Sequence, residues 1–327
     1  MKTNSKTGAV KHLVILTLFL NCIAVTAKSQ FYYHNNYRSD HQWEADINVG
    51  LSNFLGDVGG NKGKGTLFLK DINMPSTKLF YGANITYYPN QWLGIRGSFN
   101  IGNVQGYDSL IKTTTSVEAD RKKRNLGFRS PIREGMLSFE IYPLAFISRK
   151  ESFFNANFRP YFFGGIGGFY FNPQAQYTDG NGRKRWVDLK PLRLEGEGMA
   201  EYPNRKEYSN YAVCIPFGFG FKYFLNDNIY VGAEVMQRYT FTDYVDDVST
   251  TYINPALFSK YLTKDQVPIA QQLMYKRWEM VNRPVSDFIG KAKGDDTNKD
   301  YYLSVFFKLG IRFGGRDSDM SCPRGAF

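Results

Sequence analysis

The stretch YYLSVFFKLGIRFGG, Tyr301 to Gly315, is written for two solvents at once. Tyr301, Leu303, Val305, Phe307, Leu309, Ile311 and Phe313 form one register, all apolar or aromatic, while Tyr302, Ser304, Phe306, Lys308, Gly310, Arg312 and Gly314 form the other. A period of two is the signature of a β-strand, because successive side chains point to opposite faces. Two environments suit such a strand: a half-buried position in a soluble sheet, or a wall with lipid outside and a polar lumen inside.

Seven further segments repeat the alternation. Trp43, Ala45, Ile47, Val49 and Leu51 alternate with Glu44, Asp46, Asn48, Gly50 and Ser52. Leu79 to Tyr87 sets its odd positions against Phe80, Gly82, Asn84 and Thr86, and after Pro89-Asn90-Gln91 the residues Leu93, Ile95, Phe99 and Ile101 oppose Arg96, Ser98 and Asn100, which predicts a hairpin. Leu137, Phe139 and Ile141 oppose Glu134, Ser138 and Glu140. Arg159 to Pro173 is apolar on both faces. Tyr211 to Tyr223 alternates with a proline, Pro216, which predicts a bulge. Ile229, Val231, Ala233 and Val235 oppose Gly232, Glu234 and Arg238.

Most of these strands are longer than the usual 5 to 6 residues and match the roughly 9 to 11 that a tilted strand needs to cross a bilayer. Their connections alternate by length. Pro89 to Gln91, Ser148 to Asn157 and Leu225 to Asn228 are short; Asp57 to Ser76, Gly106 to Ser130, Gln174 to Lys206 and Phe241 to Asp300 are long. Membrane barrels sort short periplasmic turns from long extracellular loops, whereas a soluble sandwich has no reason to do so. The expected fold is therefore all-β, an eight-stranded antiparallel transmembrane β-barrel over residues 43–315, in the cell outer membrane.

The N-terminus agrees. Lys2, Lys6 and Lys11 precede the apolar run Leu13 to Leu20, and Val25-Thr26-Ala27 closes it with a small residue, the order of a secretory signal peptide over 1–27. Residues 28–42 are then an expected periplasmic N-terminal segment and 316–327 a periplasmic tail. Outside the leader only Cys214 and Cys322 remain, too few for a disulfide framework. Aromatic residues (4 Trp, 23 Tyr, 27 Phe) make up 17% of the chain. The formal charge is +11, or +8 without the three leader lysines. In an exported chain such basicity meets lipopolysaccharide phosphates before it meets nucleic acid, so the expected partners include outer-membrane lipid and lipopolysaccharide, and no nucleic acid.

The inward register offers five acids, Glu44, Asp46, Glu134, Glu140 and Glu234, and six bases, Lys78, Arg96, Lys222, Arg238, Lys308 and Arg312. Eight strands enclose a space that side chains can fill, so these groups are expected to form a buried lumen ion-pair network, some of them facing water at the rims. Chemistry beyond that has little material. GGNKGKGT (Gly59 to Thr66) is not a phosphate loop, because Gly65 separates Lys64 from Thr66, and it is expected to be a flexible loop. GGIGG (Gly164 to Gly168) is expected to make room for large lumen neighbours. His12 lies in the leader, and His34 and His41 precede the first strand, so no general base for an enzyme is found; no cofactor and no small-molecule substrate are expected either. The loop residues Asp243, Tyr244, Asp246 and Asp247 suit a solvated acidic loop, with a calcium site as the alternative. Arg121 to Arg124 suits a solvated basic loop or one touching lipopolysaccharide phosphates.

At this point longer motifs carry a resemblance. FTDYVDDVSTTY (Phe241 to Tyr252), RPYFFGGIGGFYFNPQA (Arg159 to Ala175), WVDLKPLRLEGEG (Trp186 to Gly198), LSNFLGD (Leu51 to Asp57) and RNLGFRSPIRE (Arg124 to Glu134) resemble the PorG family of outer-membrane proteins of the Bacteroidetes, over nearly the whole mature chain. The resemblance implies a structural component of the type IX protein secretion machinery, which supports gliding motility in some members, anchoring a periplasmic ring made of a lipoprotein and its partner. A surface adhesin or ligand-binding barrel is the alternative. Two features depart from the simplest pattern: a helix-prone insert, Asp265 to Val281, with Ile269, Leu273, Met274 and Trp278, and the tail Arg316 to Phe327.

Overall fold

The computed structural model describes residues 42–59, 74–111, 116–147, 157–277 and 283–314. The expected signal peptide, the N-terminal segment up to residue 41, residues 60–66 of the glycine-rich stretch, Trp278 and the tail 316–327 lie outside them.

Eight antiparallel strands close on themselves. They are β1 (Gln42–Leu55), β2 (Lys78–Tyr88), β3 (Leu93–Tyr107), β4 (Gly127–Ile141), β5 (Phe158–Phe171), β8 (Tyr211–Phe224), β9 (Ile229–Thr240) and β10 (Tyr301–Phe313). Neighbours pair in chain order, β10 pairs with β1 through Trp43 opposite Phe313 and Leu55 opposite Tyr301, and β3 pairs with β4, so the sheet has no free edge. That closure satisfies every strand's backbone groups, which is what permits a sheet to sit in lipid. Among the described residues no helix is long and apolar enough to cross a membrane; the crossing is made by strands.

The alternation sorts by face. Ile47, Phe99, Phe162, Ile166, Phe307 and Leu309 are among the apolar side chains left exposed on the outer wall. Inside, the even positions of β10 from Tyr302 to Arg312 are all buried. The outer wall is a lipid-facing belt, and the protein is an outer-membrane β-barrel.

At one end two of the turns are short and built alike. Asn90 Oδ1 accepts from the backbone N–H of Trp92 and Leu93 (3.2 and 3.0 Å), and Asn226 Oδ1 accepts from Asn228 and Ile229 (2.9 and 2.8 Å). An Asn side chain thereby substitutes for a backbone acceptor in a tight turn.

The other end differs from expectation. Gly106 to Ser130 is less loop than its composition suggests, because β3 runs to Tyr107 and β4 starts at Gly127. Gln174 to Lys206 contains a hairpin, β6 (Gln174–Thr178) and β7 (Lys184–Asp188), joined to the wall by Arg129 opposite Gln174. Phe241 to Asp300 folds into short helical turns, among them α4 (Gln266–Met274), with α1 (Ser116–Arg124), α2 (Leu144–Ile147) and α3 (Phe258–Tyr261) preceding it in the chain. The expected helix is thus nine residues long. Thr263 N–H donates to Gln266 Oε1 (3.1 Å) at its start, half of a capping box, and Ile269, Ala270, Leu273 and Met274 bury one face.

The bulge expected at Pro216 does not form. Gly164 opposite Phe217 and Gly167 opposite Cys214 keep one register on the β5 side, and Pro216 stays opposite Arg238 on the β9 side. The missing N–H costs ladder bonds to β5 locally without inserting a residue. Within GGIGG only the inward glycines crowd anything: a Cβ on Gly167 would come 2.6 Å from Met136 Cγ, whereas Gly164 and Gly168 face outward into open space.

Candidate functional site: a filled lumen under a folded cap

Five carboxylates and six cations occupy the lumen, each no more than 5% exposed. Ten of the eleven charged positions expected there are brought inside. Lys78 is not: it lies at the end of β2 next to the cap and is exposed, because strand parity points it inward only where the wall continues above it. Arg159 of β5 takes the sixth place, buried and 4.0 Å from Glu44.

Nearest the short turns, Glu44 accepts from Lys222 Nζ (2.8 Å), Tyr88 Oη (2.7 Å) and Arg312 Nε (3.2 Å). Lys222 Nζ also donates to Glu140 (3.0 Å) and Tyr88 Oη (2.7 Å), and Tyr142 Oη donates to Glu140. The Arg312 and Arg159 guanidiniums, both near Glu44, also lie 3.7 and 4.3 Å from the centre of the Phe224 ring, which gives each cation an aromatic partner. One level up, Arg96 bridges Glu140 (2.9 Å) and Glu234 (2.5 Å), and Tyr161 Oη donates to Glu234 (2.6 Å). Lys308 Nζ lies 2.8 Å from Glu234, an ion pair without hydrogen-bond alignment. Asp46 accepts from Asn84 (2.6 Å) and Tyr230 Oη (2.9 Å). Highest, Glu134 accepts from Arg238 (2.5 Å), Asn100 (2.9 Å) and Tyr302 Oη (2.6 Å).

Above this network the lumen turns apolar. Phe54, Phe80, Phe128, Phe169, Tyr302 and Phe306 form one buried cluster that also includes Val245 and Val248 from the FTDYVDDVSTTY segment. That segment is a roof, and its acids correct the expectation of a solvated loop: Asp243, Asp246 and Asp247 are all buried, and Tyr244 stacks on Tyr208 with ring centres 4.6 Å apart. Asp246 accepts from the backbone N–H of Val58 (2.8 Å) and Val248 (3.0 Å), Asp300 from Val245 N–H (2.9 Å), and Asp247, at φ 62°, from Tyr208 Oη (2.6 Å). Glu195 accepts from Ser249 and Thr250 N–H (3.1 and 2.7 Å) and pairs with Lys293 at 3.2 Å.

The basic run is corrected as well. It lies on α1, and Arg121 and Arg124 turn into the cap: Arg124 donates to both oxygens of Asp108 (2.8 and 3.0 Å) and to Asp57 C=O (2.6 Å), and Arg121 donates to Asp57 C=O (3.0 Å) and Gly59 C=O. A second apolar core, with Leu192, Leu194, Met199, Ile253, Phe258, Leu273 and Met274, holds the outer part of the cap together.

Burial, aided by neighbouring carboxylates, raises several cap acids. Asp243 and Asp247 are pushed up to about 7 and Glu197 to about 8, and Asp246 and Asp300 stand well above the usual carboxylate range. Oxygens of Asp243, Asp247 and Glu197 have no hydrogen-bond partner. No group of three or more His, Cys, Asp or Glu among the described residues is arranged to hold a metal ion.

Sequence reasoning missed Arg159, because both registers of β5 are apolar, and it missed the lumen tyrosines Tyr88, Tyr142, Tyr161, Tyr230 and Tyr302, whose hydroxyls complete the network. Parity with Glu44, Glu140 and Glu234 was the available signal. For the cap partners Asp57, Glu195 and Lys293 no local signal exists, since they meet groups 46 to 238 residues away in the chain, and Asp108 meets Arg124 across 16 residues with no regular pattern between them.

No protein-family model and no curated protein sequence matches the chain. Among solved structures it is similar to the N-terminal β-barrel domain of Pseudomonas aeruginosa OprF (9% identity, 84% of this chain and 100% of that one, TM-score 0.31), to Pseudomonas aeruginosa OprG (11%, 85% and 99%, 0.34), and to the attachment invasion locus protein Ail of Yersinia pestis, determined with the heparin analogue sucrose octasulfate (10%, 84% and 100%, 0.33). The barrel itself rests on the closed strand register and the exposed apolar belt rather than on these likenesses.

Proposed function

We propose that this barrel is a structural outer-membrane component of type IX protein secretion that anchors a periplasmic ring of a lipoprotein and its partner. The observation that carries the reading is the filled lumen: eleven buried charges joined in a network under a folded roof leave no conduit, so a role as a fixed post suits it better than a role as a pore. The motifs that resemble the PorG family suggest the system. A post must meet its partner at the periplasmic face, which by loop length is the end bearing the Asn90 and Asn226 turns, the start of β1 and the end of β10.

The test is retention of ring proteins after crosslinking in native membranes. Replacing the turn Leu225 to Asn228 or deleting 316–327 is expected to leave insertion intact and release the ring. Release caused only by shortening 265–277 in the cap would defeat the anchoring role. A purified sample is expected to give no steady current in a planar bilayer, and an ion-selective current would argue for a porin. The adhesin alternative predicts ligand loss with secretion unchanged when the β6–β7 hairpin is removed.

A further inference from the structure

One cation stands on the wrong side of the wall. Arg133 lies on the outward register of β4, exposed, and among the described residues it makes no hydrogen bond or ion pair. Charge on a lipid-facing strand is unfavourable near the bilayer centre and tolerated near the interface. Arg133 is eight residues from Ile141, where β4 ends; at about 3.3 Å per residue and a tilt of about 40° it sits roughly 20 Å above that end, near the cap-side edge of an apolar band about 25 Å tall.

The register explains what surrounds it. Ile101, Arg133, Tyr170 and Tyr211 form one lateral row across β3, β4, β5 and β8, and the two tyrosine rings are 5.3 Å apart. The next row away from the cap is Phe99, Gly135, Gly168 and Val213, in which the paired glycines face outward with nothing within 4 Å of a Cβ placed on either. Beside the missing side chain of Gly168 an open surface groove of about 780 Å³ lies against Arg133, Gly168, Tyr170, Tyr211 and Val213. That is the size of a small-molecule site, placed where lipid is the solvent. Toward the cap the same wall stays cationic: Arg129 lies over the Trp186 ring at 4.1 Å, and Arg183, Lys184 and Arg185 of the hairpin are exposed, while of its acids Asp188 is held by Asn172 and Gln174 (2.9 and 2.7 Å) and Asp179 accepts from the turn N–H groups of Asn181 and Arg183 (2.9 and 2.8 Å).

We propose that this groove seats a phosphorylated lipid of the outer leaflet, with the phosphate on Arg133 and the hydroxyls of Tyr170 and Tyr211, and an acyl chain in the glycine trough. The trough favours a lipid over a free phosphate, which has no use for an apolar floor. Charge disfavours a second copy, because a two-fold interface centred here would bring Arg133 against Arg133.

Full-length protein in phosphatidylcholine nanodiscs doped with bisphosphorylated lipid A or its dephosphorylated form, released and weighed by native mass spectrometry, tests the assignment. The parent is expected to retain the phosphorylated form preferentially. Arg133→Ala is expected to lower that retention roughly tenfold, the scale of one charge-assisted hydrogen bond, and Gly168→Leu, which fills the trough, to lower retention of both forms. Lys123→Ala in the cap is the unchanged control. Heat-modifiable gel mobility checks folding; should Arg133→Ala not fold, Arg133→Gln and Gly168→Leu carry the test. Equal retention of the two lipids, parent-like retention by the variants, displacement of the lipid by inorganic phosphate, or a dimer dissolved by Gly168→Leu would each overturn the proposal.

Discussion

The lumen and the cap bury charge by opposite means. In the lumen five carboxylates meet six cations, whereas among the described residues of the cap eight buried carboxylates (Asp108, Glu118, Glu195, Glu197, Asp243, Asp246, Asp247 and Asp300) share two buried cations, Arg124 and Lys293. The backbone explains the difference. A strand in a closed sheet commits its N–H groups to the ladder, so a lumen carboxylate can be satisfied only by another side chain. Irregular loops leave N–H groups over, and buried ones need acceptors. Asp246 and Asp300 supply them without a paired cation, and Glu195 does so while also pairing with Lys293. Acids with too few donors hold their protons instead.

The largest expected effect lies in the lumen. Lys222→Met leaves Glu44 and Glu140 buried without their shared cation, and an expected loss of about 3–5 kcal/mol follows. Urea unfolding in lipid vesicles measures it; a triple variant adding Glu44→Gln and Glu140→Gln should recover part. A loss under about 1 kcal/mol would mean that the network contributes little.

On the same strand as Lys308, but on its other face, Phe307→Arg is expected to cost about 2–4 kcal/mol if it lies near the bilayer midplane. The neighbouring positions thus separate a paired charge from an unpaired one. Folding yields into vesicles at graded urea provide the measurement, and parent-like stability would contradict the lipid-facing assignment.

In the cap, Asp246→Ala should strand the N–H groups of Val58 and Val248, an expected cost of about 1–3 kcal/mol for each buried group left unsatisfied. The damage should stay local. Faster amide exchange over 243–252 with an unchanged barrel transition is the expected result, and a barrel that melts with its cap would merge the two regions into one cooperative unit.

The smallest effect is on pH. An unfolded Asp or Glu titrates near 4, while Asp243 and Asp247 in the cap titrate near 7 and Glu197 near 8, each raised by burial. The folded cap therefore binds more protons than the unfolded one between those values, and its stability is fully present below about pH 4 and declines as pH rises toward 8. Limited proteolysis of the cap at pH 5 and pH 8 should show faster cleavage at the higher value. Asp247→Asn should flatten that dependence.

Strand number, strand facing and the acid side of the lumen could be read directly from the chain. A period of two is a local property, fixed by backbone geometry, so Glu44, Glu140 and Glu234 faced inward as soon as Ile47, Phe139 and Val235 faced out. The same rule failed where local pattern carried no information: at Arg159, between apolar faces, and at Lys78, whose parity is right but whose height is not. Only the tertiary structure decided that the loops form a roof. Asp57, Asp108, Glu195, Asp246, Lys293 and Asp300 are scattered from one end of the barrel sequence to the other, and each reads as an ordinary polar loop residue. They become buried because barrel closure brings four loop bases to one mouth, where apolar side chains of several loops bury surface together and the leftover backbone donors select the carboxylates that sit among them.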